Sequence, residues 1–179
     1  AISDRFLNWG WSDIRESVFS LFPFTDVGKK KIKWNNKGDL ILISVPIARY
    51  SQKSGSWPNA ANQSNQYINN QISFIGKLPR PIRIRSCVRI RADFDKFCKT
   101  FFMDRLKDVY PEVRIDPTTT SIDSAMSNCR ILITGYNGTS HIYSLSQNIP
   151  TIIFWDPNYF ELRDSAKPFF EILKQVGIF

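Results

Sequence analysis

The chain has 179 residues, 24 Lys and Arg against 16 Asp and Glu, a net charge of +8, and 42% hydrophobic with 14% aromatic residues. That length suits one domain with a sizeable core, no apolar run reaches the roughly 18 residues of a membrane span, and no basic-then-apolar signal opens the chain. A single histidine and three cysteines (Cys87, Cys98, Cys129) without metal spacing speak against a zinc or iron centre and for a reducing, cytoplasmic setting.

Residues 1–38 read as an irregular lead-in or linker, and 39–179 as the folded domain. Ser12-Asp13 predicts the cap of a short helix running to about Leu21, ended by Pro23. Lys29, Lys30, Lys31, Lys33 and Lys37 follow in a solvated stretch. The absence of an initial Met is expected of a piece of a longer protein. From Asp39 to Pro46 a continuous apolar run predicts a strand buried on both faces of a parallel sheet. A polar loop over 49–65, with Trp57-Pro58, follows it, and such loops are common homes for binding groups. Tyr67, Ile68, Ile72, Ile75 and Leu78 have helical spacing.

Ile82–Arg91 alternates as a strand would, with Arg83, Arg85, Arg89 and Arg91 on one face. Four arginines on one face are either an exposed edge kept from aggregating by charge, or an anion-binding face for phosphates or RNA. No stacking aromatics accompany them, which disfavours a nucleic-acid platform. A helix over 96–110, with Phe97, Phe101 and Phe102 in the core, precedes a short strand at Val113–Asp116. A helix over Ser121–Asn128, a strand at Ile131–Thr134 and a helix over Glu161–Val176, interrupted near Pro168, complete the pattern. Phe154, Phe169 and Phe170 are expected in the core, whereas Trp57 and Trp155 adjoin loops and are surface candidates. Strand and helix alternate throughout, so the expected fold is α/β, a Rossmann-like three-layer sandwich with a mostly parallel sheet.

Residues 131–155 are the most informative stretch: strand, glycine turn, short helix, Asn148-Ile149-Pro150 break, strand. Gly135 and Gly138 permit a tight turn, and Thr139 or Ser140 can cap the helix. Backbone N–H groups at such a helix start hold anions, and the +8 charge suits an anionic partner. An ordinary βα turn has the same signature. Neither the P-loop nor the dinucleotide Gly-x-Gly-x-x-Gly fingerprint is present. His141, in the first helical turn, is either a general base or a packed ring. The Asp93-Phe94-Asp95 pair starts a helix away from the turn, so no metal site is expected beside it.

Tyr136-Asn137-Gly138-Thr139-Ser140, the run Asn148–Pro157, Glu161-Leu162-Arg163 and Pro168-Phe169-Phe170 resemble a family of bacterial transferases associated with surface-polysaccharide (lipopolysaccharide or capsule) synthesis, itself similar to GT-B glycosyltransferases. Trp9-Gly10-Trp11, Ile43–Pro46 with Arg49-Tyr50, and Val88–Asp93 also look like its landmarks. The resemblance spans nearly the whole chain and is most specific over 131–178. It implies the C-terminal, nucleotide-sugar-binding half of a GT-B enzyme, its N-terminal domain lying elsewhere. Asn137, Gly138, Thr139 and Ser140 would then hold the donor diphosphate. Arg49 and Tyr50 would face the same cleft, Arg89 would add charge, and Glu161 and Arg163 would line its edge. Tyr143 stands where relatives often have a ribose-binding Glu, and a phenol cannot accept from two ribose hydroxyls as a carboxylate does.

The function this implies is metal-independent glycosyl transfer from a nucleotide sugar, a substrate rather than a cofactor, to a glycan or lipid-linked acceptor. Cofactors are expected to be none. The expected location is cytoplasmic, at the inner membrane face if peripheral association occurs. The alternative is a non-catalytic nucleotide- or RNA-binding module using the arginine strand. An epimerase-like relative on the same fold would need acid/base carboxylates in an inter-domain cleft.

Overall fold

The computed structural model describes the chain except residues 1–3, 9, 11–13, 22–27, 29, 46–62 and 91–95, and gives the backbone alone at 96–100. The described residues form two compact units, Ala1–Lys31 and Ile32–Phe179. In the first, β1 (Phe6–Asn8) pairs in parallel with β2 (Val18–Ser20). Asn8 accepts the Gly10 N–H at 2.9 Å, and the Arg5 guanidinium lies 5.3 Å from the Phe19 ring centre. The helix expected to reach Leu21 is thus corrected: Val18 and Phe19, a β-branched and an aromatic residue, extend as a strand.

The second unit is a three-layer α/β/α fold. Its elements in order are β3 (Asp39–Ser44), α1 (Ser64–Lys77), α2 (Arg80–Ile84), β4 (Ser86–Ile90), α3 (Lys96–Val109), β5 (Arg114–Asp116), α4 (Ile122–Ser127), β6 (Cys129–Thr134), α5 (Thr139–Ser146), β7 (Thr151–Ile153) and α6 (Lys167–Gln175). The sheet runs β5-β4-β3-β6-β7, and every pairing in it is parallel. The Rossmann-like sandwich expected from the alternation of elements is therefore present.

Alternation along β3 explains the layers. Leu40 and Leu42 face Ile68 and Ile75 of α1 and Phe102 and Leu106 of α3. Ile41 and Ile43 face the other way, onto Ala125 and Met126 of α4 and Tyr143 of α5. A strand covered on both faces needs apolar side chains at consecutive positions, which is what its sequence supplies. Phe102 is buried as expected, but Phe101 and Phe169 are exposed, on the outer faces of their helices. Phe97 lies among residues whose side chains are not described.

The arginine strand is also corrected. Pro79 and Pro81 begin a turn of helix, α2, whose first-turn prolines need no N–H. Arg83 therefore lies on a helix, bonded to Glu112 at 2.6 Å. Arg85 follows it in a turn and donates to the Gly38 carbonyl at 3.0 Å. Only Arg89 of the described three is in a strand, and β4 is interior, paired on both sides. No arginine-lined edge exists among the described residues. The last helix begins at Lys167 rather than Glu161, because Pro168 occupies its first turn instead of interrupting it.

Candidate functional site

In this strand order β3 continues to β4 on one side, while β6 lies on its other side. The chain's direction of travel reverses between β3 and β6, and ligands of open α/β sheets bind beyond the strand ends at such a point. The turn Gly135–Gly138 leaves β6 there, and α5 starts at Thr139.

Both glycines have close neighbours where a Cβ would stand. A Cβ on Gly135 would lie 2.1 Å from Oε1 of Gln71, a side chain 1% exposed, whose Nε2 donates to the Gly135 carbonyl at 3.3 Å. A Cβ on Gly138 would lie 2.2 Å from Cε2 of Tyr136. That ring is held by a 2.7 Å hydrogen bond between its hydroxyl and Ser140 Oγ. Gly138 itself is extended at φ −159° and is the N-cap, with no side chain capping the helix. Thr139 and Ser140, expected as caps, instead form the first helical turn. Among the described residues no side chain accepts from the first N–H groups of α5, and no acidic residue lies in that turn.

Three buried polar atoms have no hydrogen-bond partner among the described residues: Gln71 Oε1, Thr134 Oγ1 and His141 Nδ1. All three belong to, or press against, the segment from Thr134 to His141. Orphaned buried groups cost about 1–3 kcal/mol each, and these three fall in or against one short segment. Gln71 was not anticipated from the sequence. The available signal was a polar residue at the centre of an apolar stripe, four positions from both Tyr67 and Ile75. Tyr67 closes the neighbouring end of β3: its hydroxyl bonds Ser44 Oγ at 2.8 Å and accepts the Val45 N–H. Burial raises the Tyr67 pKa further, so it remains a neutral phenol.

His141 packs its ring 6.1 Å from Trp155 and 6.3 Å from Phe170. Burial disfavours its charged form and lowers its pKa from 6.5 to about 4. Because the unfolded chain binds this proton more readily, the neutral ring's contribution is intact above about pH 6.5 and is lost as pH falls to about 4. Unfolding free energies from urea titrations across this window should fall more steeply for the wild type than for His141→Gln, by about 3 kcal/mol in total. Equal slopes in both proteins would show that the ring is not held neutral.

The other anticipated residues separate into groups. Asn137 is exposed on the turn. Tyr143 points away from it into the α4 side of the core, donating to Asp123 Oδ1 at 2.6 Å. Tyr143→Phe is expected to cost about 1 kcal/mol, read from thermal or urea unfolding, as for any lost buried hydrogen bond. Arg89 lies in a buried cluster with Asp116 (2.5 Å) and the Thr120 carbonyl (2.6 Å). Glu161 and Arg163 line a cleft of about 640 Å³ between the segment after β7 and α6, floored by Trp155, Phe160 and Phe179. A second cavity, about 580 Å³, lies over β5 and α4 and includes Cys87 and Arg114. Neither cavity is lined by Gly135–Ser140. Arg49, Tyr50, Trp57 and the Asp93 and Asp95 pair lie outside the described residues.

Among the described residues no group of His, Cys, Asp and Glu is placed to hold a metal, and no helix is long and apolar enough to cross a membrane. One family model, described as LIC12162 family transferase, matches residues 1–179. No curated protein and no solved structure matches the chain.

Proposed function

The chain belongs to the LIC12162 family of transferases, and on that premise we propose that it binds a nucleotide-activated sugar and passes the glycosyl group to a glycan or lipid-linked acceptor in surface-polysaccharide synthesis. The observation behind this reading is the start of α5 at the switch point, without a side-chain cap among the described residues, with three buried polar atoms that have no partner among those residues in or against the same segment. Backbone N–H groups at Gly138–Ser140, with Asn137 on the rim, would hold the donor diphosphate as a helix start holds any phosphate. The resemblance implies that Arg49 and Tyr50, which follow β3 in the sequence, would reach the same anion.

In the reaction the bond from the sugar carbon to the diphosphate oxygen breaks, and a bond to an acceptor oxygen forms. The acceptor's proton leaves to a base that the GT-B likeness places on the other half of the enzyme. Fixed N–H dipoles aimed at the departing oxygen stabilise its developing charge without reorganising. In this reading Arg89 and Tyr143 brace the fold through Asp116 and Asp123 rather than touching the donor. The neutral His141 contributes no charge at the diphosphate. The working site would be the cytoplasmic face of the membrane, with the N-terminal half completing the cleft.

Calorimetry with a panel of nucleoside diphosphates and their sugar conjugates tests the reading. One nucleotide series should bind with saturable heat. Failure of every nucleotide to bind at millimolar concentration would overturn it.

A further inference from the structure

We propose that the cleft beyond β7 is a saccharide subsite, one that takes an uncharged, hydroxylated ring and is separate from the anion cradle at Gly135–Ser140. Its floor is aromatic: Trp155 stands 5.9 Å from Phe160 and 4.6 Å from Phe179, measured between ring centres. Its rim has three carboxylates (Glu161, Asp164, Glu171) and three cations (Arg163, Lys167, Lys174), so it has no net charge. Two of those pairs neutralise each other directly, Asp164 with Lys167 at 2.5 Å and Glu171 with Lys174 at 2.7 Å. That leaves Glu161 and Arg163, whose side chains make no ion pair or hydrogen bond among the described residues. The Trp155 indole N–H likewise has no acceptor there.

A phosphate group would gain little from a rim of zero net charge. A sugar ring fits each feature: its C–H face lies on an aromatic floor, a carboxylate accepts from hydroxyls, and a guanidinium and an indole donate to them. The volume, about 640 Å³, lies in the usual range for small-molecule sites. The cleft also adjoins the cradle, because Trp155 on its floor packs on His141 in the first turn of α5. An activated sugar has the same polarity, anionic at one end and neutral at the other. The assignment of the ring to the donor rests on the proposed function; the existence of a ring site does not.

The test uses the whole 179-residue chain, labelled so that the tryptophan indole N–H resonances are visible, with Trp155→Phe identifying the relevant one. The probes are glucose, galactose and N-acetylglucosamine, and in parallel nucleoside diphosphates without sugar. At least one saccharide should shift the Trp155 resonance. Glu161→Ala with Arg163→Ala, both at exposed positions, should weaken that binding about tenfold. If no saccharide moves the resonance, or the double variant binds as the wild type does, the subsite is refuted. If saccharides bind there while no diphosphate binds anywhere, the subsite stands and the donor reading falls.

Discussion

Gly138→Asp is expected to abolish binding of nucleoside diphosphates while leaving the protein folded. Gly138 is the N-cap of α5, with no side chain accepting from the first turn. An aspartate there is a good helix cap, so its carboxylate would take the N–H groups that the diphosphate needs. It would also place a negative charge against the phosphate. Two charge-assisted hydrogen bonds are worth about 1.5–3 kcal/mol each, so affinity should fall more than about a hundredfold. The new Cβ would displace the Tyr136 ring, costing stability that the new cap partly offsets. Gly138→Ala separates the two effects, since it moves the ring but leaves the N–H groups free. Calorimetry on both variants, with circular dichroism to verify folding, makes the comparison. A Gly138→Asp protein that binds diphosphate like the wild type would remove the turn from the site.

Arg89→Met is expected to destabilise the protein by about 3–5 kcal/mol, because it strands the Asp116 carboxylate in a buried position. Both side chains are little exposed, 10% for Arg89 and 13% for Asp116, so solvent replaces the lost partner only in part. The Thr120 carbonyl loses its donor as well. Arg89→Met combined with Asp116→Leu should recover most of the loss, since replacing a whole buried pair with apolar groups is often neutral. Urea denaturation of the two single variants and the double closes this cycle. If Arg89→Met kept full stability and lost only nucleotide affinity, Arg89 would return to the donor site, where the family resemblance puts it.

The contrast between these two residues shows what was legible in the sequence. The glycine turn was readable because turn chemistry is local: two glycines, a Ser/Thr pair and an Asn148 break announce themselves within fourteen positions. Asn148 indeed takes the left-handed conformation, φ 58°, just past the end of α5. The arginine pattern was misread for a related reason. Alternation over 82–91 fits a strand, but a proline on each side of Arg80 favours the start of a helix, and helix and strand periodicities cannot be told apart over so few residues. Gln71 and Asp116 were invisible as partners. The first is bonded to a glycine 64 positions away and the second to an arginine 27 away, and no local pattern records such a pairing.

By itself the sequence determined the alternation of strands and helices, the two-faced burial of β3 and the place of the turn at a strand's carboxyl end. Periodicity and backbone preference act over a few residues and need no distant partner. Only the tertiary structure decided that this turn lies at the reversal between β3 and β6. It alone showed that Gln71, Thr134 and His141 carry atoms without a partner among the described residues, in or against that turn. Strand order and the satisfaction of buried polar groups depend on which remote segments pack together, and that choice is settled by the whole core at once.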